Sequence, residues 1–169
     1  MQMVKKIFFT LFLLWISFIV FMPKQEIYFG LEKELAKQGI EINEGMIEEG
    51  VFDLVLNDVT VYVEGVKVAT VKRISFFTVL WYSKVKIEEM HTDKGLKSII
   101  SVYMEKTVLF HSVMNPLHVY FKARGDIGEL KGDISLSDHK ARIEFMKEKN
   151  TDILKRFLKE DEAGWYYGF

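Results

Sequence analysis

Val51-Phe52-Asp53-Leu54-Val55-Leu56-Asn57-Asp58-Val59-Thr60-Val61-Tyr62-Val63-Glu64-Gly65-Val66-Lys67-Val68-Ala69-Thr70-Val71 is the stretch that decides the fold class. Its apolar residues recur every second position, the spacing that sends successive side chains to opposite faces of a strand. β-Branched residues dominate it, and Asn57-Asp58 and Gly65 interrupt it. The pattern predicts three short strands, Val51 to Leu56, Val59 to Glu64 and Val66 to Val71, joined by turns. This is the start of an antiparallel meander.

Upstream, Ile40-Glu41-Ile42-Asn43 alternates in the same way and ends at Asn43-Glu44-Gly45. Downstream, Ile74 to Tyr82 is densely apolar and suits a doubly buried strand or a helix equally well. Lys84 to Met90 returns to alternation. Leu96, Ile99, Ile100, Tyr103 and Met104 give residues 95–104 a helical spacing, whereas Lys106 to Val113 reads as extended and Pro116 as a break. Leu117 to Ala123 reads as a strand, with Gly125, Gly128 and Gly132 in turn positions. Ile134 and Leu136, then Ala141, Ile143 and Phe145 against Arg142, Glu144 and Lys147, alternate most clearly of all. A closing helix is predicted from Thr151, as N-cap, to Glu160, burying Ile153, Leu154, Phe157 and Leu158. Gly164-Trp165-Tyr166-Tyr167-Gly168-Phe169 suits a terminal strand.

The N-terminus is of another kind. Lys5 and Lys6 precede an apolar run from Ile7 to Met22 that includes Phe12, Trp15 and Phe18 and is broken only by Thr10 and Ser17. About 16 residues at 1.5 Å each cover roughly 24 Å, against about 30 Å for a bilayer core. Uncharged throughout and flanked by lysines that can snorkel, residues 7–23 are expected to form a transmembrane anchor. A cleaved signal peptide would need a small-residue site, and Phe18 to Glu26 has none. The cationic bias places residues 1–6 as a cytoplasmic stub and residues 24–169 as one β-rich domain across a bacterial inner membrane, in the periplasm. A short helix over 26–38, with Ile27, Leu31 and Leu35 on one face and Gly39 as its stop, leads from the anchor into the sheet. The expected fold is therefore mainly β: an anchor helix, a short helix, a curved antiparallel meander and a C-terminal helix.

Composition bounds the function. A formal net charge of −1 with no basic block argues against nucleic acid as a partner, and the absence of cysteine excludes disulfides and thiolate metal sites. His91, His111, His118 and His139 form no metal-binding spacing, although hairpin pairing at Asn115-Pro116 would bring His111 and His118 together. Gly125-Asp126-Ile127-Gly128 lacks the ending of a phosphate loop and reads as a turn. The paired carboxylates Glu48-Glu49 and Glu88-Glu89 point to opposite faces of alternating segments, which disfavours acid–base work. No catalytic, cofactor or metal residues are predicted, and the chain is read as non-enzymatic. Fourteen phenylalanines, seven tyrosines and three tryptophans are many for a small sheet protein. Core packing accounts for many of them; Phe76, Phe77, Leu80 and Trp81 are the candidates for an apolar binding face.

The order of these features resembles the type II secretion system protein N family, itself similar to AsmA-like envelope proteins. The matching segments are Val51 to Val59, Gly65 to Ala69 and Pro116 to Ile134. The resemblance implies an accessory role in an envelope secretion or transport apparatus, with membrane lipid and other envelope transport proteins as partners and no catalytic residues. The single span and curved sheet are also similar in outline to the membrane-anchored bridge component of lipopolysaccharide transport. That likeness implies a lipid or lipopolysaccharide carrier with an apolar groove in its sheet.

Overall fold

The computed structural model describes residues 2–21, 23–79, 81–93, 102–162 and 164–169. Among them, eleven strands form one antiparallel sheet, fronted by two helices and closed by a single helical turn. Helix α1 (Gln2–Val20) is followed by α2 (Lys24–Lys37), with Pro23 at the N-cap, where its missing N–H costs nothing. Gly39 then takes φ +75°, the left-handed conformation in which a helix commonly stops.

The strands are β1 (Ile40–Asn43), β2 (Met46–Glu49), β3 (Asp53–Val63), β4 (Val66–Val79), β5 (Tyr82–Thr92), β6 (Tyr103–Ser112), β7 (Asn115–Gly125), β8 (Gly128–Ser135), β9 (Lys140–Glu148), β10 (Lys159–Asp161) and β11 (Gly164–Gly168). Their spatial order is β1-β3-β4-β5-β6-β7-β8-β9-β11-β10, and β2 shares the free side of β3 with β1. From β3 to β9 each strand pairs with the next in sequence. The edges are charged: Glu41, Glu48 and Glu49 on one side, and the exposed Lys159-Glu160-Asp161 on the other. Charged, short edge strands discourage edge-to-edge association.

Several expectations are corrected. Asn57-Asp58 is an irregularity inside one long strand, β3, not a turn between two. Asp58 takes φ +53° and stands outside the pairing between Asn57↔Arg73 and Val59↔Val71. The same happens on the next three strands, where Lys72, Glu89 (φ +51°) and Glu105 are passed over between paired neighbours. A row of four charged residues thus crosses β3 to β6. On β3, β4 and β5 it shifts the alternation by one, so Leu54 and Leu56 before the row face the same side as Val59 after it. Ile74 to Val79 belongs to β4 and is strand, not helix. Pro116 lies inside β7, in the irregular pairing between His111↔Val119 and Ser112↔Asn115, where a residue without an N–H is tolerated. The predicted helix to Glu160 is one turn, α3 (Asp152–Lys155), because Lys159–Asp161 pairs with β11 instead. Thr151 is buried but makes no side-chain cap, Phe157 is exposed, and Ile153 lies outside the described side chains. Most of residues 95–104 also fall outside the described residues.

The expected anchor falls on α1. Among the described residues no helix is long and apolar enough to cross a membrane. The physical reason is that α1 stops at Val20 and begins with Gln2, Lys5 and Lys6, so its uncharged part, Ile7 to Val20, rises only about 21 Å. Met22, the last residue of the expected span, lies outside the described residues.

Two apolar clusters hold the domain. Under α2, Tyr28 packs with Leu54, Leu56, Val59 and Val71, each at most 4% exposed. At the other side, Ala123, Ile127 and Leu130 are buried with Val102, and Leu154 of α3 packs against them.

Candidate functional site

The register turns alternation into a surface. Starting at Leu54, residues directly opposite one another across the sheet run Leu54, Phe76, Val85, Leu109, Phe121, Gly132, Ile143 and Trp165. Every member of this row is apolar or glycine. Eight strands span seven inter-strand spacings, about 34 Å at roughly 4.8 Å each. A second row on the same face reads Leu56, Ile74, Ile87, Thr107, Ala123, Leu130 and Phe145. The row between them points the other way: Val55, Ser75, Lys86, Val108, Lys122, Lys131 and Glu144. The sheet therefore has one apolar face and one charged face.

The apolar face is covered at its two sides and half-buried between them. On the first side α2 lies over β3, and the Tyr28 ring meets that of Phe76 at 6.4 Å. A cavity of about 140 Å³ lies there between Ile27, Leu31, Leu54 and Phe76. On the other side Lys155 of α3 lays its ammonium over Phe145 and Trp165, at 5.4 and 5.5 Å from the ring centres. Val85, Ile87, Leu109 and Phe121, in the middle, are half-buried. Gly132 has a specific part in this row. A Cβ there would fall on the Arg142 carbonyl oxygen and 2.7 Å from Cζ of Phe121, so only glycine lets that ring lie across the strand.

Tyr28 fixes α2 by more than its ring. Its hydroxyl donates to Oε2 of Glu44 at 3.1 Å, and burial, with the Glu44 charge second, pushes the phenol far above its ordinary pKa. Tyr28→Phe should lower stability by about 1 kcal/mol, since the carboxylate loses its donor while the ring stays. Urea denaturation would measure it; an unchanged midpoint would show that solvent serves Glu44 equally well.

The charged face holds exposed ion pairs. Lys131 meets Glu144 at 3.1 Å, Arg142 forks onto Asp161, and Arg124 onto Glu105; their charged partners raise both guanidinium pKa values. The Lys86 ammonium holds Glu88 below the usual carboxylate range. A cleft of about 600 Å³ is lined by residues of both faces, among them Phe121, Ile143 and Trp165 as well as Lys122, Asp133 and Arg142. It contains no buried acid, base or nucleophile.

The histidines stay apart. His111 pairs with Val119, so His118 next to it points to the other face; His111 lies 3.1 Å from the Pro116 carbonyl oxygen and His118 3.6 Å from Asp133. Among the described residues no group of three histidines or carboxylates could hold a metal ion. Of the three described residues expected to make an apolar face, Phe76 lies on it. Phe77 faces the opposite side and is 38% exposed, Trp81 sits at the β4–β5 tip, and Leu80 lies outside the described residues. Val85, Leu109 and Phe121 were missed; each belongs to an alternating run, but only the register brings them together.

No family model, curated protein or solved structure matches this chain.

Proposed function

We propose that this protein is a membrane-anchored, non-enzymatic lipid-handling protein, whose apolar sheet face shelters the acyl chains of a lipid moving through an envelope transport apparatus. The observation that carries this reading is the unbroken apolar row from Leu54 to Trp165 opposite a charged face. A face that only built a core would be covered by a second layer along its length, whereas among the described residues α2 and α3 cover its sides. Acyl chains need an apolar trough and no directed hydrogen bonds, which is what the middle of the face offers.

The anchor in this reading is α1. Most of its apolar side chains are bare: Phe8, Leu14 and Phe18 are 73, 61 and 63% exposed, while Trp15 and Ile16 are half-buried. A helix that is apolar all round belongs in lipid or in a protein core, and no core surrounds it. Its shortfall of about 9 Å against the bilayer core would be met by Lys5 and Lys6 snorkelling and by local thinning. With the lysines on the cytoplasmic side, the sheet lies in the periplasm of an inner-membrane protein. The secretion-accessory role implied by the protein N resemblance shares this anchor and sheet, and takes precedence if the purified protein holds no lipid.

Native mass spectrometry of the full chain extracted in gentle detergent tests the lipid reading. Wild type should carry phospholipid or lipopolysaccharide mass. Leu109→Glu, in the middle of the apolar row, should reduce its occupancy on the order of tenfold or more, because a carboxylate would sit among acyl chains. Val108→Glu, one residue away on the charged face, should retain the lipid. A lipid-free wild type, or equal lipid in both variants, overturns the reading.

A further inference from the structure

We propose that the end of the sheet nearest α1 is itself a membrane-docking surface, with its hairpin tips entering the bilayer that holds α1. This rests on the reading of α1 as a membrane anchor. In a meander, alternate connections fall at the same end, and here those connections differ sharply in chemistry. The β2–β3, β4–β5, β6–β7 and β8–β9 tips lie at one end and present Phe52, Trp81, Val113, Met114 and Leu136, from 42% exposed at Phe52 to 90% at Met114. The chain closes at that end with Phe169, which is 58% exposed. At the opposite end, among the described residues, the connections include Glu64-Gly65, Asp126-Ile127 and Lys149-Asn150; Ile127 is folded inward and buried. Among the described residues beside those connections, Val63 and Val66 are exposed apolar ones.

Isolated apolar tips are ordinary, but an end composed of them needs an occupant. Contact with α1 selects the bilayer. Trp81 stacks on Trp15 with ring centres 5.8 Å apart, and Trp15 stacks in turn on Phe12. Trp15 lies five residues before the end of α1, about 7.5 Å along its axis. The β4–β5 tip therefore lies beside the body of the helix, not beyond its end. If α1 is in lipid as far as Val20, Trp81 is in lipid or at its boundary, a common place for tryptophan. Lys140, the first residue of β9, and Lys84, the third of β5, stand just behind the tips, where ammonium groups meet phosphate headgroups. The sheet would then stand on the membrane by this end, with its apolar face running alongside the surface from which a lipid would be drawn.

The absence of cysteine makes the test direct. Single variants Phe12→Cys, Met114→Cys and Lys149→Cys of the full chain, each carrying an environment-sensitive fluorophore, are reconstituted into phosphatidylcholine vesicles containing some phosphatidylglycerol. Lipids with spin-labelled acyl chains serve as quenchers. Labels at 12 and 114 should shift to the blue and lose emission, while the label at 149 keeps its aqueous spectrum. Quenching at 12 but not at 114 overturns the docking surface and leaves the anchor standing. No quenching at 12 overturns the anchor and, with it, this inference. Quenching at all three positions overturns the end-on arrangement.

Discussion

Tyr28→Ala is expected to cost about 3–5 kcal/mol of stability, in the range seen when large buried aromatic side chains are truncated. Tyr28 is 4% exposed, lies in the cluster with Leu54, Leu56, Val59 and Val71, and is the buried residue of α2. Its removal opens a cavity, leaves Glu44 without its donor and frees α2 from β3. Phe29→Ala, next along the helix but 44% exposed, should change stability by only about 0.5 kcal/mol. The two variants compared by urea denaturation in mild detergent give the result. If Tyr28→Ala loses no more than Phe29→Ala, the helix is not held as described. A second readout is limited proteolysis, in which the Tyr28 variant should be cut within α2 before the sheet.

Gly132→Val should cost about 3 kcal/mol, at the upper end of what an overpacked site loses. The added Cβ meets the main chain of β9 at Arg142, which cannot give without moving the strand, and the Phe121 ring at the same time. The ring must leave the strand, which breaks the apolar row at its centre. Stability and lipid occupancy should therefore fall together, unlike Leu109→Glu, where lipid is lost first. Gly132→Ala should show the same backbone clash in milder form. A wild-type melting temperature for Gly132→Val would mean that the strand rearranges around the side chain and that Phe121 is not fixed by this contact.

Much of the architecture was legible. Alternation at Leu54, Leu56, Val59 and Val61, and again at Ala141, Ile143 and Phe145, announces strands of a meander, and the closing aromatic strand pairs with β9 as its composition suggested. Errors arose where a local signal had two causes. Asn57-Asp58 is a good turn sequence, yet the same residues also suit a left-handed irregularity inside a strand, and local sequence does not separate the two. The spacing of Leu154, Phe157 and Leu158 is helical, but pairing of Lys159–Asp161 with β11 outweighs a weak helix preference. The candidate site was less legible than the fold. Phe76 and Phe77 stand side by side in sequence and on opposite faces in the sheet. Leu109 and Phe121 are 12 residues apart and directly opposed. Alternation says which residues share a face of one strand; register says which strands' faces continue one another, and that is a tertiary property.

The row of Asp58, Lys72, Glu89 and Glu105 constrains how the sequence can change in length. Removing Asp58 alone would still leave Val59 and Val61 on the face of Leu54 and Leu56, but Lys72 on β4 would lose its opposite number and the pairing of Val59 with Val71 would slip by one residue. A single-residue deletion there is thus a slip of register between neighbouring strands, and it becomes neutral only when matched deletions occur on those strands. Substitutions along these strands can accumulate one at a time. Insertions and deletions would have to arrive as a set, so strand length should be far more resistant to drift than the residues themselves.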